Sequence, residues 1–344
     1  MPVKAGDIEQ GLIESLGHSV GERLAQEPAA SYREFVRQYY HWVPAKDLAD
    51  RDQVDLCGAV VAHWRTARSR ARGEAKVRVY NPERERDGWE SPYTAIEVVS
   101  DDMPFIVDSV TMELSRQGYA IELVVHPVMR VMRDPAGELT EVLEPGGATF
   151  GFLAESVIHV EVARESDPER LSILHAGVEL VLEEVRAAVE DWAPMRAQTT
   201  ALATELRRQA PPADPHRLTE AHEFLAWLAD EHFTFLGYRE YELDSDDESR
   251  GELRVVEGSG LGILRGASPR PVKSLRGKAL ALARSTEPLV LTKANSRASV
   301  HRRSYLDYVG VKQFAPDGRV VGERRFLGLY TTKAYKTSPQ EIPL

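Results

Sequence analysis

Between Tyr93 and Arg133 the chain alternates, turns and alternates again, and this passage limits the fold more than any other. Tyr93-Thr94-Ala95-Ile96-Glu97-Val98-Val99 has the two-residue period and β-branched content of a strand. Asp101-Asp102-Met103-Pro104-Phe105 breaks it with two acids and a proline. Val107, Val110 and Leu114 then recur at helical spacing, with Met103 at the start of the same face. A second extended stretch runs from Tyr119 through His126 and Pro127 to about residue 133. Strand, acidic turn, amphipathic helix and strand open a small sensing module of the α+β class, not a catalytic fold.

The flanking sequence has a different character on each side. Residues 1–75 read as a helical segment. Ile8, Leu12, Ile13, Leu16, Val20 and Leu24 fall near helical spacing, and Ser31-Tyr32-Arg33-Glu34 has the form of a capping box ahead of Phe35, Val36, Tyr39 and Tyr40. Gln53 to Arg68 places Val54, Cys57, Val60, Val61 and Trp64 on one side of a further helix. The basic run Arg65, Arg68, Arg70 and Arg72 reads as its solvated, dipole-compensating end. From Lys76 the period switches to alternation, with strands at Val77–Tyr80 and Ser156–Val162 besides those above. Asp167-Pro168 starts a long helix to about Trp192, buried along Leu171, Leu174, Val178, Val181, Leu182 and Val185.

Pro211-Pro212-Ala213-Asp214-Pro215 reads as a linker, which separates a domain at 76–210 from a second at 216–344. The second starts with a helix at Arg217–Asp230. It continues with strands at Phe233–Leu243, Leu253–Glu257, Leu289–Thr292, Tyr305–Phe314 and Val320–Tyr330, the last two joined by a turn at Ala315-Pro316-Asp317-Gly318. A five-stranded antiparallel sheet with helical insertions is expected, of a PAS-type or ACT-like sensor. The final Thr337 to Leu344 carries neither cap nor charged tail, and a continuing natural chain is expected.

Composition removes several function classes. A formal net charge of −11 opposes a nucleic-acid partner, since phosphate-tracking surfaces are basic. No apolar run reaches the roughly 18–20 residues that span a bilayer, and the single Cys57 suits a reducing cytoplasm. Short motifs fail on context. Gly17-His18-Ser19-Val20-Gly21 matches a nucleophile elbow but lacks the preceding sheet. Gly258 to Gly266 misses the dinucleotide spacing at Ile263 or Arg265 and reads as a flexible connection, with an anion-binding turn at Arg265 as the alternative. Lys273-Ser274 and Gly277-Lys278 lack the glycines of a P-loop. His222-Glu223 has Ala226 where a zinc site needs a second histidine. Cys57 and His63 lie too far around one helix to act as a dyad. No catalytic, cofactor-binding or metal-ligating set emerges.

Longer blocks are more specific. Tyr39-Tyr40-His41-Trp42-Val43-Pro44, Ala62-His63-Trp64, Lys76 to Pro82, Gly88-Trp89-Glu90-Ser91, Asp101 to Phe105, Val124-Val125-His126-Pro127, Thr292 to Ser296 and Gly322 to Tyr330 resemble the N-terminal part of the large bacterial NAD-specific glutamate dehydrogenases. The resemblance covers essentially the whole chain. It implies a parent enzyme that oxidatively deaminates L-glutamate to 2-oxoglutarate and ammonium with NAD, its catalytic part lying elsewhere on the polypeptide. It also implies ACT-like and PAS-like domains in this part that link protomers and receive effectors.

In an ACT-like βαββα arrangement the strand normally following the second helix is missing, because Asp191–Gln209 reads as helix. Lys76–Tyr80 is expected to fill the vacant sheet edge. The resemblance places an amino-acid effector near the first strand-to-helix turn, at Asp101, Asp102, Met103, Pro104, Phe105, Asp108 and His126. Phe105 stands where the common glycine would be, a departure that closes the backbone approach a ligand carboxylate would use. The competing expectation is that Asp101 and Asp102 cap the helix, Asp108 faces solvent and His126 is a satisfied strand histidine. Glu323-Arg324-Arg325 reads as a solvated strand face or a domain-contact ion pair. The expected role is regulation and homo-oligomeric assembly, without NAD bound in this part; the alternative is a purely structural inter-subunit scaffold.

Overall fold

The structure, a computed structural model, describes residues 29–49, 51–147, 150–208, 214–244, 249–266 and 273–343. The expected helix over 8–24, the Gly17–Gly21 motif, and residues 211–213 of the linker lie outside them. The chain divides into two compact units, the first ending at Leu182 and the second starting at Glu183.

The first unit begins with α1 (Ala29–Tyr39), α2 (Ala45–Ala49) and α3 (Gln53–Ala67). Ser31 lies inside α1 and so cannot cap it; the Glu34 carboxylate binds Arg37 and Gln38 further along the helix instead. A side-chain cap stands instead on α3, where Asp52 accepts the Val54 amide at 2.7 Å. Six strands follow: β1 (Lys76–Tyr80), β2 (Tyr93–Asp101), β3 (Ile121–Val125), β4 (Val128–Arg133), β5 (Leu139–Leu143) and β6 (Leu153–Ala163). The short α4 (Arg84–Asp87) precedes β2, α5 (Ile106–Arg116) joins β2 to β3, and α6 (Pro168–Glu190) follows β6.

All pairings in this sheet are antiparallel, in the order β1-β2-β6-β4-β5 with β3 also on β6. Lys76–Tyr80 does occupy the edge beside β2, and residues 192–208 are helical as expected. The extended stretch from residue 119 is two strands in one line. Val125 opposes His159 and Val128 opposes Ser156, so the register runs on across His126-Pro127. Pro127 has no amide to give, but its carbonyl still accepts the Val157 amide at 3.1 Å.

β2 and β6 are buried on both faces. On one face Val99 and Val157 join Leu123, Val125 and Met129 in a core with Tyr32, Phe35, Tyr39 and Trp64 of α1 and α3. The alternate set, Ile96, Val98, Ile158 and Val160, is buried on the other face. Helices α5 and α6 cover that face and meet at Gly177, where an added Cβ would lie 2.3 Å from the Gln117 side chain. The layers thus leave the β2–α5 turn at one end of the sheet.

The second unit holds α7 (Trp192–Arg208), α8 (Pro215–Trp227), a seven-stranded antiparallel sheet and the short helices α9 (Gly277–Arg284) and α10 (Thr332–Lys336). Its strands are β7 (Phe233–Asp244), β8 (Gly251–Val255), β9 (Leu261–Gly262), β10 (Lys273–Leu275), β11 (Leu289–Arg297), β12 (Tyr305–Phe314) and β13 (Val320–Tyr330). The order is β10-β8-β7-β13-β12-β11, with β9 on β7. The five expected strands are present, and β9 and β10 add to them. The Gly258–Gly266 stretch is therefore not a plain connection. Gly262 (φ 60°) carries β9 so close to β7 that a Cβ would sit 2.1 Å from the Leu236 oxygen. The expected hairpin at Ala315–Gly318 closes with a 2.9 Å bond from the Gly318 amide to the Ala315 carbonyl.

Candidate functional site: the acidic turn and the buried polar row

Asp101 ends β2 opposite Glu155, and the Asp102 amide still bonds the Ala154 carbonyl at 2.9 Å. Successive residues of a strand point to opposite faces, so the two carboxylates part company here. Asp101 receives Arg70 at 2.7 Å on the face covered by α3. Asp102 receives the Ser156 hydroxyl at 2.6 Å on the other. Neither caps α5, contrary to the capping expectation. The residue at that cap is Phe105, with φ 71° and ψ −1° and no side-chain hydrogen bond to the helix amides. Its carbonyl takes the Ser109 amide at 2.9 Å and the Ser109 hydroxyl at 2.7 Å. Phe105 thus adopts the left-handed backbone of a glycine turn while carrying a ring, at a cost of about 1–2 kcal/mol.

His126 reaches the same place from the β3–β4 junction, its Nε2 3.1 Å from the Ser156 hydroxyl oxygen. Burial lowers the imidazole's pKa, against the opposing pull of Asp102. Because Ser156 gives its proton to Asp102, the imidazole Nε2–H donates to the serine oxygen. That is the reverse of a nucleophilic triad, in which the imidazole accepts from the serine. The arrangement positions a carboxylate and does not activate a hydroxyl. Of the seven residues read from sequence, the structure joins Asp102 and His126 through Ser156. Asp101 turns to the opposite face, Met103 is buried, Phe105 is half-buried, and Pro104 and Asp108 are exposed.

Sequence reasoning missed a row of polar groups on the α3 face of β2 and β6. Arg70, read as a solvated helix end, is 1% exposed and bonds Glu155 at 2.6 Å as well as Asp101. Arg133 of β4 holds Glu155 with two bonds of 2.7 Å. Four residues along β2, Glu97 lies opposite His159 and is fully buried. Its carboxylate takes the Tyr80 hydroxyl at 2.6 Å and the Thr66 hydroxyl at 2.9 Å, yet burial still raises its pKa. At the far end Glu161 receives Arg51 at 2.5 Å.

His63 of α3 sits above this row. Its Nε2 is 3.3 Å from the Val98 carbonyl, so Nδ1 accepts the Tyr39 hydroxyl at 2.9 Å. Burial, then the neighbouring His159, brings its pKa down to about 3. Arg51 before α3 and Arg70 after it fasten both ends of the helix to β6. The missed signal is three ionisable residues among the four alternate positions of one face of an apolar strand, Glu155, His159 and Glu161, with Val157 between them.

The second unit corrects two more expectations. The Glu323-Arg324-Arg325 trio is not a solvated face: Glu323 is buried and accepts the Tyr308 hydroxyl, and Arg325 stacks over Tyr241 at 4.0 Å. Arg324 binds Glu205 of α7 at 2.7 Å. Arg265 is not turned toward an external anion, because Asp191 takes two of its nitrogens at 2.8 and 2.7 Å and the Gly262 amide as well. In the first unit a groove of about 1030 Å³ is lined by Asp55, Arg84, Glu90 and Arg164, with Arg84 already bound to both acids. Among the described residues no three His, Cys, Asp or Glu side chains gather to hold a metal ion, and no helix is long and apolar enough to cross a membrane.

Comparison with known proteins gives a consistent set of likenesses. Residues 35–178 match the family model described as the glutamate dehydrogenase ACT1 domain. The chain is 39% identical over 338 residues to the NAD-specific glutamate dehydrogenase of Halomonas elongata, covering 97% of this chain and 21% of that protein. It is 35% identical over 340 residues to the NAD-specific glutamate dehydrogenase of Pseudomonas aeruginosa, covering 98% and 21%. The counterpart from Mycobacterium tuberculosis is 30% identical over 304 residues, covering 88% and 17%. The chain therefore spans about a fifth of the length of these relatives.

Proposed function

The chain belongs to the NAD-specific glutamate dehydrogenase family, as the counterpart of its N-terminal part, and from that premise we propose that it is a regulatory and oligomerisation region without catalysis of its own. In this reading the parent enzyme converts L-glutamate, NAD and water to 2-oxoglutarate, ammonium and NADH in the cytoplasm. NAD and the reacting groups belong to the remaining part of the same polypeptide. The first unit is an effector-receiving ACT-like domain with a βαββα core, and the second is a PAS-like or further ACT-like sensor.

The observation that carries the proposal is the acidic turn. Asp102, held by the Ser156 hydroxyl that His126 orients in turn, offers a carboxylate to the ammonium group of an amino acid. Phe105, at the cap before α5, keeps a Cβ where the approach to the first helix amides would need glycine, so the reading rests on the Asp102 carboxylate and not on those amides. Calorimetric titration of the chain with a panel of amino acids tests this. Saturable heat that is lost in Asp102→Asn is expected, and the chain alone is expected to form no NADH from glutamate and NAD.

A second reading, a purely structural scaffold between subunits, draws on a specific observation. Both aspartates of the turn already have partners within the chain. Absence of heat across the whole panel, from a chain that assembles into oligomers, would favour that reading.

A further inference from the structure

The two aspartates of the turn bind opposite faces of one sheet, and their partners on β6 are also adjacent residues. Glu155 shares Arg70 with Asp101, while Ser156 donates to Asp102. Behind Glu155 stands Arg133, the last residue of β4, and behind Ser156 stands His126, which precedes that strand on the same line of chain. Arg70 itself continues from the C-terminal end of α3, and its other nitrogen bonds the Glu74 carbonyl at 2.7 Å. The groups facing the Arg70 guanidinium are Asp101 of β2 and Glu155 of β6, with Arg133 of β4 beyond Glu155. The backbone link between the two faces is a single peptide bond at Asp101–Asp102 and another at Glu155–Ser156.

We infer that this crossing is a coupling device: the seating of α3 on one face and the conformation of the α5 entry turn on the other are linked through Arg70, Asp101 and Asp102. Arg70 acts as a positioning residue. If it leaves, Asp101 and Glu155 lose their shared cation, the end of β2 loosens, and Asp102 no longer holds Ser156 in register. Any event that moves the turn is felt in the same way at the end of α3. The inference concerns linkage within the fold and holds whether or not the turn receives an amino acid, so it fails independently of the proposed function.

Amide hydrogen exchange on the intact 344-residue chain tests it. Arg70→Met is compared with Arg51→Met, which cuts the Glu161 tie at the opposite end of the same helix. Arg70→Met is expected to speed exchange about tenfold or more both at the end of α3 and in residues 105–109. Arg51→Met is expected to speed exchange at the start of α3 alone. In the reverse direction Ser156→Ala, a small change on the other face, is expected to speed exchange in residues 64–70. Melting of each variant reports whether the fold is intact, and Arg70→Lys supplies a gentler change should Arg70→Met unfold. Wild-type exchange at 105–109 in a folded Arg70 variant, or equal acceleration there by Arg51→Met, would overturn the coupling.

Discussion

At the scale of single residues, Phe105 and His63 show how local cost is accepted within a packed frame. Phe105 holds a backbone angle of 71°, where a Cβ is unfavourable. Phe105→Gly and Phe105→Ala both remove the ring, but only alanine keeps the Cβ. The glycine variant is therefore expected to be the more stable of the two by about 1 kcal/mol, as chemical denaturation would report. His63 has a pKa of about 3 against 6.5 for the free side chain, so its contribution is complete above pH 6.5 and lost as pH falls toward 3. The first unit should weaken over that window by up to about 1.4 kcal/mol per pH unit, and His63→Asn should flatten the slope. Glu97 works with the opposite sign, because its raised pKa favours the fold on acidification. Glu97→Gln should consequently steepen the acid loss; an unchanged pH profile would remove Glu97 from the account.

At the scale of elements, sequence reading served where periodicity sets the structure. The strands around Ile96 and Ile158, the α5 face through Val110 and Leu114, and the long helix after Pro168 all carry local signals strong enough to stand alone. It failed where a residue's role depends on a distant partner. Arg70 has the look of any cation at a helix end until Glu155, 85 residues away, is brought beside it. Asp101 looks like a cap because capping is local, and its actual partner is not. The glycine-rich stretch after Gly258 looked loose because its contact is made with β7, out of sequence reach. That contact yields a further prediction. Gly262→Ala should cost roughly 2 kcal/mol or more in stability, since its Cβ meets the Leu236 carbonyl in a backbone conformation that disfavours any side chain.

At the scale of the whole molecule, the two units have separate cores. Tyr32, Trp64, Val99 and Val157 gather in the first, and Phe224, Phe235, Tyr238 and Phe326 in the second. Calorimetric unfolding is expected to show two transitions. His63→Asn should alter the pH dependence of one and Gly262→Ala should lower the midpoint of the other. A single transition displaced by both variants would show that the cores melt together.

The parity of β2 has a consequence for how this segment can vary. Substitution at Asp101 or Asp102 changes one face of the sheet, but a change in length between Tyr93 and Asp101 changes both. Removing one residue would send every later side chain of the strand to the wrong side. Glu97 would leave Tyr80 and Thr66, and the carboxylate meant for Arg70 would be presented to Ser156. A library of single-residue deletions and insertions across 93–101 should yield almost no soluble chain, while conservative replacements at the same positions remain soluble. The segment is thus free in spelling at several positions and fixed in length, a constraint that belongs to the spacing of its residues more than to any one of them.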